Sequence, residues 1–173
     1  MIPKLTFVLG AAASGKSVYA ERVVMETGAP RVYIATSQAY DTEMEEKIQR
    51  HQDQRGPDWR TVDCPYDLSA ALAVIAPEEV VLVDCATMWL SNHLLSDGDI
   101  ATLTVALIEA LERCKGRVVV VSNEVGMGIV PENALARRFR NAQGKLNQDL
   151  AQAADTVVLV AAGLPLALKG ELL

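Results

Sequence analysis

The chain has 173 residues, half of them hydrophobic, and a formal net charge of −6. That length fits one compact domain spanning residues 1–173, with a single main core. No uninterrupted apolar run approaches the roughly 20 residues of a membrane span, and the negative balance argues against broad capture of nucleic acid while leaving room for a local basic site that takes small phosphates.

Met1 to Gly10 passes straight into a strand pattern at Leu5 to Leu9, without the basic stretch and apolar helix of a secretory signal, which favours the cytoplasm. The next residues, Gly10-Ala11-Ala12-Ala13-Ser14-Gly15-Lys16-Ser17, fit the eight-residue P-loop pattern, and a helix pattern follows through Val23 and Val24. Such a loop turns backbone amides inward around phosphate oxygens, with the positive end of a helix behind them. Gly10 and Gly15 supply clearance, Lys16 neutralises the β and γ phosphates, and the Ser17 hydroxyl coordinates a bridging Mg2+. A glycine-rich turn without function is the bland alternative. It requires four specified positions to coincide by accident between a strand and a helix.

A second apolar, β-rich run covers Val32 to Ala35 and ends at Thr36 and Ser37. Thr42 and Glu45 then form a capping box, so a helix is expected from near Asp41 to about Gln52. Its spacing puts Met44, Ile48 and His51 on one face. His51 is therefore either a hydrogen-bonded structural histidine or a nucleophile, and neighbouring Arg50 and Arg55 suit the attack of a neutral imidazole on phosphorus. Arg55 to Asp67, with Gly56, Pro57 and Pro65, reads as a loop over a site, with a short extra strand around Trp59 to Val62.

The third run, Val80 to Val83, ends in Asp84, which is either a magnesium ligand or the cap of the next helix. Beyond it, Trp89 and His93 fall on an amphipathic segment and are expected to pack or to face a partner subunit. Val118 to Val121 and Thr156 to Ala161 are the remaining strands, and between them the clearest helix runs from about Pro131 to Ala153 on an apolar face of Leu135, Phe139, Ala142, Leu146 and Leu150. Arg137, Arg138 and Arg140 either reach a substrate phosphate or a neighbouring subunit, or are solvated. Cys64, Cys85 and Cys114 lack the close spacing of zinc or thiol-disulfide sites and are expected as buried free thiols.

Five parallel strands alternating with helices define an α/β fold, a P-loop NTPase of RecA-like type whose sheet is covered by helices on both faces. Ligands of such sheets bind beyond the carboxyl ends of the strands, where Gly10, Thr36, Ser37, Asp84, Asn123 and Glu124 converge. For Asn123 and Glu124 a tight strand-to-helix turn with Pro131 opening the helix is the plain alternative to a site wall.

The segment Asn123 to Glu132, followed by Arg137 to Arg140 and by Gly144 to Asn147, resembles the bifunctional adenosylcobinamide kinase and adenosylcobinamide-phosphate guanylyltransferase family. The likeness extends to the P-loop, Tyr33 to Gln38, the His51 helix, Trp59 to Thr61 and the strand ending at Asp84. It implies phosphorylation of the aminopropanol hydroxyl of adenosylcobinamide by ATP or GTP, then transfer of GMP from GTP to adenosylcobinamide phosphate through a guanylylated His51. It also implies GTP contacts from Thr36, Ser37, Gln38, Gln52, Asp53, Gln54, Arg55, Asp63 and Asp84, magnesium at Ser17 and Asp84, and a homo-oligomer in which the corrinoid lies between subunits. The chain departs from the family pattern at Ala11, where a second glycine is frequent, and at Ala13, where an arginine is frequent. A helix bearing a histidine that must reach the α-phosphate is expected to move. Two other functions compete: a P-loop kinase of another small metabolite, which would leave His51 unlabelled, and a nucleotide-dependent binding switch with a protein partner.

Overall fold

The structure, a computed structural model, describes residues 2–38 and 58–172. The elements in chain order are β1 (Leu5–Gly10), α1 (Lys16–Met25), β2 (Arg31–Ala35), β3 (Trp59–Asp63), α2 (Leu68–Ala73), β4 (Val80–Asp84), α3 (Ala86–Leu95), α4 (Ile100–Arg113), β5 (Arg117–Asn123), α5 (Ala134–Ala153), β6 (Thr156–Ala161) and β7 (Leu164–Lys169). The expected helix over Asp41 to Gln52, and with it His51, lies outside the described residues.

The strands form one sheet in the order β3-β2-β4-β5-β1-β6-β7, parallel throughout except for the antiparallel β6–β7 pair. All five expected strands are present, and the short one at Trp59 is a full edge strand reaching Asp63. The strands read as unbroken apolar runs because alternate residues serve two cores. Phe7, Ile34, Val81, Val83, Val118 and Val120 pack under α2 to α5, while Val8, Tyr33, Val80, Leu82, Val119 and Val121 pack with Tyr19, Ala20, Val23 and Val24 of α1. Each such side chain contributes about 1.5–3 kcal/mol when fully buried, so polar alternation within these strands would remove one layer.

β7 departs from the expectation. Ala162 and Gly163, both with positive φ (51° and 76°), make the two-residue turn that folds Leu164 back on Ala161. Pro165 is tolerated because the strand is at the sheet edge. The long helix also differs at its start, three residues later than expected. The Asn133 side chain accepts from the amides of Leu135 (2.8 Å) and Ala136 (3.2 Å), so Asn133 is the cap and Pro131 belongs to the preceding loop. Leu135, in the first turn, is exposed, whereas Leu146 and Leu150 are buried. The three cysteines are buried and free, as expected. Among the described residues no helix is long and apolar enough to cross a membrane.

Candidate active site

The P-loop joins the middle of the sheet to α1. Gly10 stands between Asn123 of β5 and Val160 of β6. A Cβ there would lie 2.7 Å from the Val160 carbonyl oxygen and closer still to Ser14 Oγ, which is why glycine is needed at the strand's end. The loop then tightens on itself, with Ser14 N donating to Ala11 O at 3.2 Å. It is also braced from outside, because Gly163 N in the β6–β7 turn donates to Ser14 O at 2.8 Å. Gly15 has φ 91°, and a Cβ on it would sit 3.1 Å from Gly163 Cα. Of the three loop alanines Ala13, at φ 56°, is in the left-handed region, while Ala11 adopts no positive φ. Ala11, Ala12 and Ala13 are exposed, so three methyl groups line the mouth.

Lys16 reaches back across the loop and donates to Ala11 O at 3.2 Å, which places its charge over the amides. Ser17 follows it in the first turn of α1, a turn with no acidic residue. The positive end of the helix and the lysine therefore act in the same direction on an anion. Asp84, half-buried at the end of β4, shares this region. Burial, with the Asp84 carboxylate adding to it, pushes the neighbouring Cys85 thiol up to about 11, against an opposing pull from Lys16. A hydroxyl at Ser17 and one carboxylate at Asp84 form an all-oxygen donor set. That set suits magnesium, which keeps most of its shell as water and phosphate oxygens.

The rim beyond β2 is held rigidly. Thr36 is fully buried; its hydroxyl donates to Cys85 O and accepts from Cys85 N, both at 2.7 Å, and its carbonyl accepts from Asn92 at 2.9 Å. In the described structure Thr36 fastens the end of β2 to the residue after Asp84. Ser37 and Gln38 continue the rim half-buried, and Gln38 Nε2 is buried without a hydrogen-bond partner among the described residues. Asp63 is exposed at the end of β3, two strands from Asp84 and four from Gly10. At about 4.8 Å per strand it stands roughly 19 Å from the phosphate loop, at the far end of any nucleotide laid along the rim. Gln52, Asp53, Gln54 and Arg55 lie outside the described residues.

On the other side of Gly10, Glu124 N donates to Gly10 O at 3.0 Å, and the Glu124 carboxylate accepts from Gly126 N. Behind this turn lies a buried polar network that the sequence reading missed. Gln143, fully buried, donates to Ser122 Oγ and Asn147 Oδ1, each at 2.9 Å. Ser122 Oγ donates to Asn147 Oδ1 at 2.7 Å, Asn147 Nδ2 donates to Asn123 O at 3.1 Å, and Thr87 Oγ1 accepts from Asn123 N at 2.8 Å. The available signal was Gln143 and Asn147, four residues apart beside Leu146 and Leu150 on the apolar stripe. Gln143→Met, which keeps volume and removes both donors, is expected to lower stability by about 1–3 kcal/mol. Urea denaturation checks this, and an unchanged midpoint would count against the network.

Trp89 and His93 pack as expected. Trp89 Nε1 donates to Tyr66 O at 2.8 Å, and the His93 ring stands edge-on to Trp89 and Tyr66 with centroids 4.8 and 5.3 Å away. Arg137 turns onto the carbonyls of Pro131 and Glu132, and exposed Arg138 approaches Asp97 at 4.0 Å.

A strand, phosphate loop and helix in mid-sheet, with a carboxylate two strands away on the same rim, define a P-loop nucleotide-binding enzyme. The fold agrees with solved structures. The flagellar accessory protein FlaH from Methanocaldococcus jannaschii superposes with a TM-score of 0.52 at 12% identity over 96% of this chain and 78% of that one. A Pyrococcus horikoshii structure, project PH0250, gives 0.57 at 9% identity over 96% and 86%. These likenesses concern architecture alone. Sequence goes further: residues 6–168 match the family model described as cobinamide kinase / cobinamide phosphate guanyltransferase, and the chain belongs to that family. It is 44% identical over 182 residues to the bifunctional adenosylcobalamin biosynthesis protein CobU of Salmonella typhimurium, covering 95% of this chain and 99% of that protein. It is also 44% identical over 167 residues to the bifunctional protein CobP of Pseudomonas aeruginosa, covering 95% and 96%.

Proposed function

We propose that this chain phosphorylates the hydroxyl of adenosylcobinamide with ATP or GTP and then joins GMP from GTP to the product, giving adenosylcobinamide-GDP. The observation that carries the reading is the phosphate loop itself. Lys16 reaches back across it, Asp84 ends the strand two places away in the sheet, and Glu124 is bonded to its first residue. In the kinase step the γ-phosphoryl group passes to an alcohol, and this needs placement and charge neutralisation with no covalent group on the protein. Lys16 and the loop amides hold the leaving phosphates, and Glu124 or Asp84 orients the incoming hydroxyl. Ser17 and Asp84 hold magnesium, which when bound neutralises charge on the β and γ phosphates.

In the second step a His51 ring nitrogen forms a bond to the α-phosphorus of GTP while the bond to the bridging oxygen of pyrophosphate breaks. Lys16 stabilises the departing charge. A phosphate oxygen of adenosylcobinamide phosphate then displaces the imidazole, which leaves neutral, and a new phosphate–phosphate bridge remains. Ser37, Gln38, Gln52 to Arg55 and Asp63 serve the nucleoside end of GTP; the rim position of Asp63, far from the loop, favours that division. The enzyme acts in the cytoplasm as a homo-oligomer, a reading that its buried free thiols favour as regards compartment.

Incubating the protein with magnesium and GTP labelled on the α-phosphate, then denaturing it, tests the histidine directly. Retained label that is acid-labile and alkali-stable is expected on the wild type and is expected to vanish in His51→Ala. Wild type that binds GTP yet retains no label removes the covalent step and leaves a simple kinase.

A further inference from the structure

Three large apolar side chains stand together where the chain leaves the rim of the site. Met127 is 85% exposed, Ile129 97% and Val130 61%. Scattered apolar residues on a surface are ordinary, but three within four positions beside a phosphate site form a patch. The backbone beneath them is fixed at both ends. Glu124 N is bonded to Gly10 O, Gly126 N to the Glu124 carboxylate, and Asn123 is held by Thr87 and Asn147. At the far end Arg137 donates to the Pro131 and Glu132 carbonyls and Asn133 caps α5. A Cβ added at Gly128 would meet nothing within 4 Å among the described residues, which leaves the space between Met127 and Ile129 open to them.

The reaction proposed above has two substrates of opposite character. The nucleotide presents phosphates, which the P-loop accommodates. Cobinamide presents a broad macrocycle edged by methyl and amide groups, far too bulky to enter a domain of this size, with the reacting hydroxyl on a side arm. When that arm reaches the phosphate over Lys16, the macrocycle rests on the surface just outside the rim. The apolar segment begins three residues beyond Glu124, itself bonded to the first residue of the loop.

We infer that Met127, Ile129 and Val130 form the platform against which the corrin ring of the substrate lies during phosphorylation, an assignment that rests on the kinase reading. The test uses the whole protein and dicyanocobinamide, followed by its visible absorbance in equilibrium dialysis, with the double variant Met127→Ser/Ile129→Ser. Affinity for the cobinamide is expected to fall about tenfold or more, as the loss of two apolar contacts implies. The KM for nucleotide stays within about twofold of wild type if nucleotide binding is uniform between them. Met127→Leu/Ile129→Leu retains cobinamide binding, and sedimentation shows the same mass for all three proteins. Unchanged cobinamide affinity in the serine variant overturns the platform. So does a fall in its sedimenting mass, which makes the patch an interface between copies of this chain. Wild type that binds GTP but no cobinamide overturns the functional reading itself and is recognised before any variant is examined.

Discussion

Lys16→Ala is expected to reduce both the phosphorylation of adenosylcobinamide and the transfer of GMP by about a thousandfold, because one cation serves both reactions. In the mechanism proposed above it steadies charge on the transferred phosphoryl group in the first and on departing pyrophosphate in the second. Its ammonium lies over the loop, donating to Ala11 O at 3.2 Å, and the side chain contributes little to either core. The melting temperature should therefore stay close to that of the wild type. Lys16→Arg is not expected to restore activity, since a planar guanidinium cannot occupy the position of a compact ammonium. Product formation from each half-reaction, measured separately, checks the point. More than about a tenth of the activity surviving in either half would remove Lys16 from that half.

The second large effect is expected at Gly10. Gly10→Ala places a methyl group against Ser14 and 2.7 Å from the Val160 carbonyl oxygen, and that oxygen belongs to the central sheet and cannot move aside. Overpacking of this kind costs about 1–3 kcal/mol, or roughly 3–10 °C in melting temperature for a domain of this size. The same displacement shifts the Ser14 end of the loop, so nucleotide affinity should fall at least about tenfold. Gly144 provides the contrast. It lies inside α5 with nothing within 4 Å of an added Cβ among the described residues, and Gly144→Ala should stabilise the protein by about 0.5–1 kcal/mol. Calorimetry on the two variants decides the matter: equal and small effects would mean that the cradle tolerates a methyl group.

The five central strands were legible because Val, Ile and Leu runs serve two cores at once, and the phosphate loop because its glycines and lysine have fixed tasks. β7 was not. Its residues, Leu164-Pro165-Leu166-Ala167-Leu168-Lys169, have no β-branched member, and its conformation comes from its partner β6 and a two-residue turn. Long-range polar pairing was equally hidden. Nothing near Thr36 in the chain indicates that its hydroxyl belongs to Cys85, 49 positions away, and Gln143 looks like a surface residue until α5 is laid on the sheet. The roles given to His51 and to Gln52 through Arg55 rest on family resemblance. Local pattern left the histidine between a structural and a chemical task.

The contact between the β6–β7 turn and Ser14 bears on how phosphate is bound. A segment tied to a strand at one end, to a helix at the other, and pinned midway by a third element has few shapes left to choose among. Most of its configurational freedom is surrendered when the chain folds, so little remains to be lost when a nucleotide arrives. The β6–β7 turn, by holding Ser14, is thereby expected to raise affinity from outside the loop, through order imposed before the nucleotide arrives.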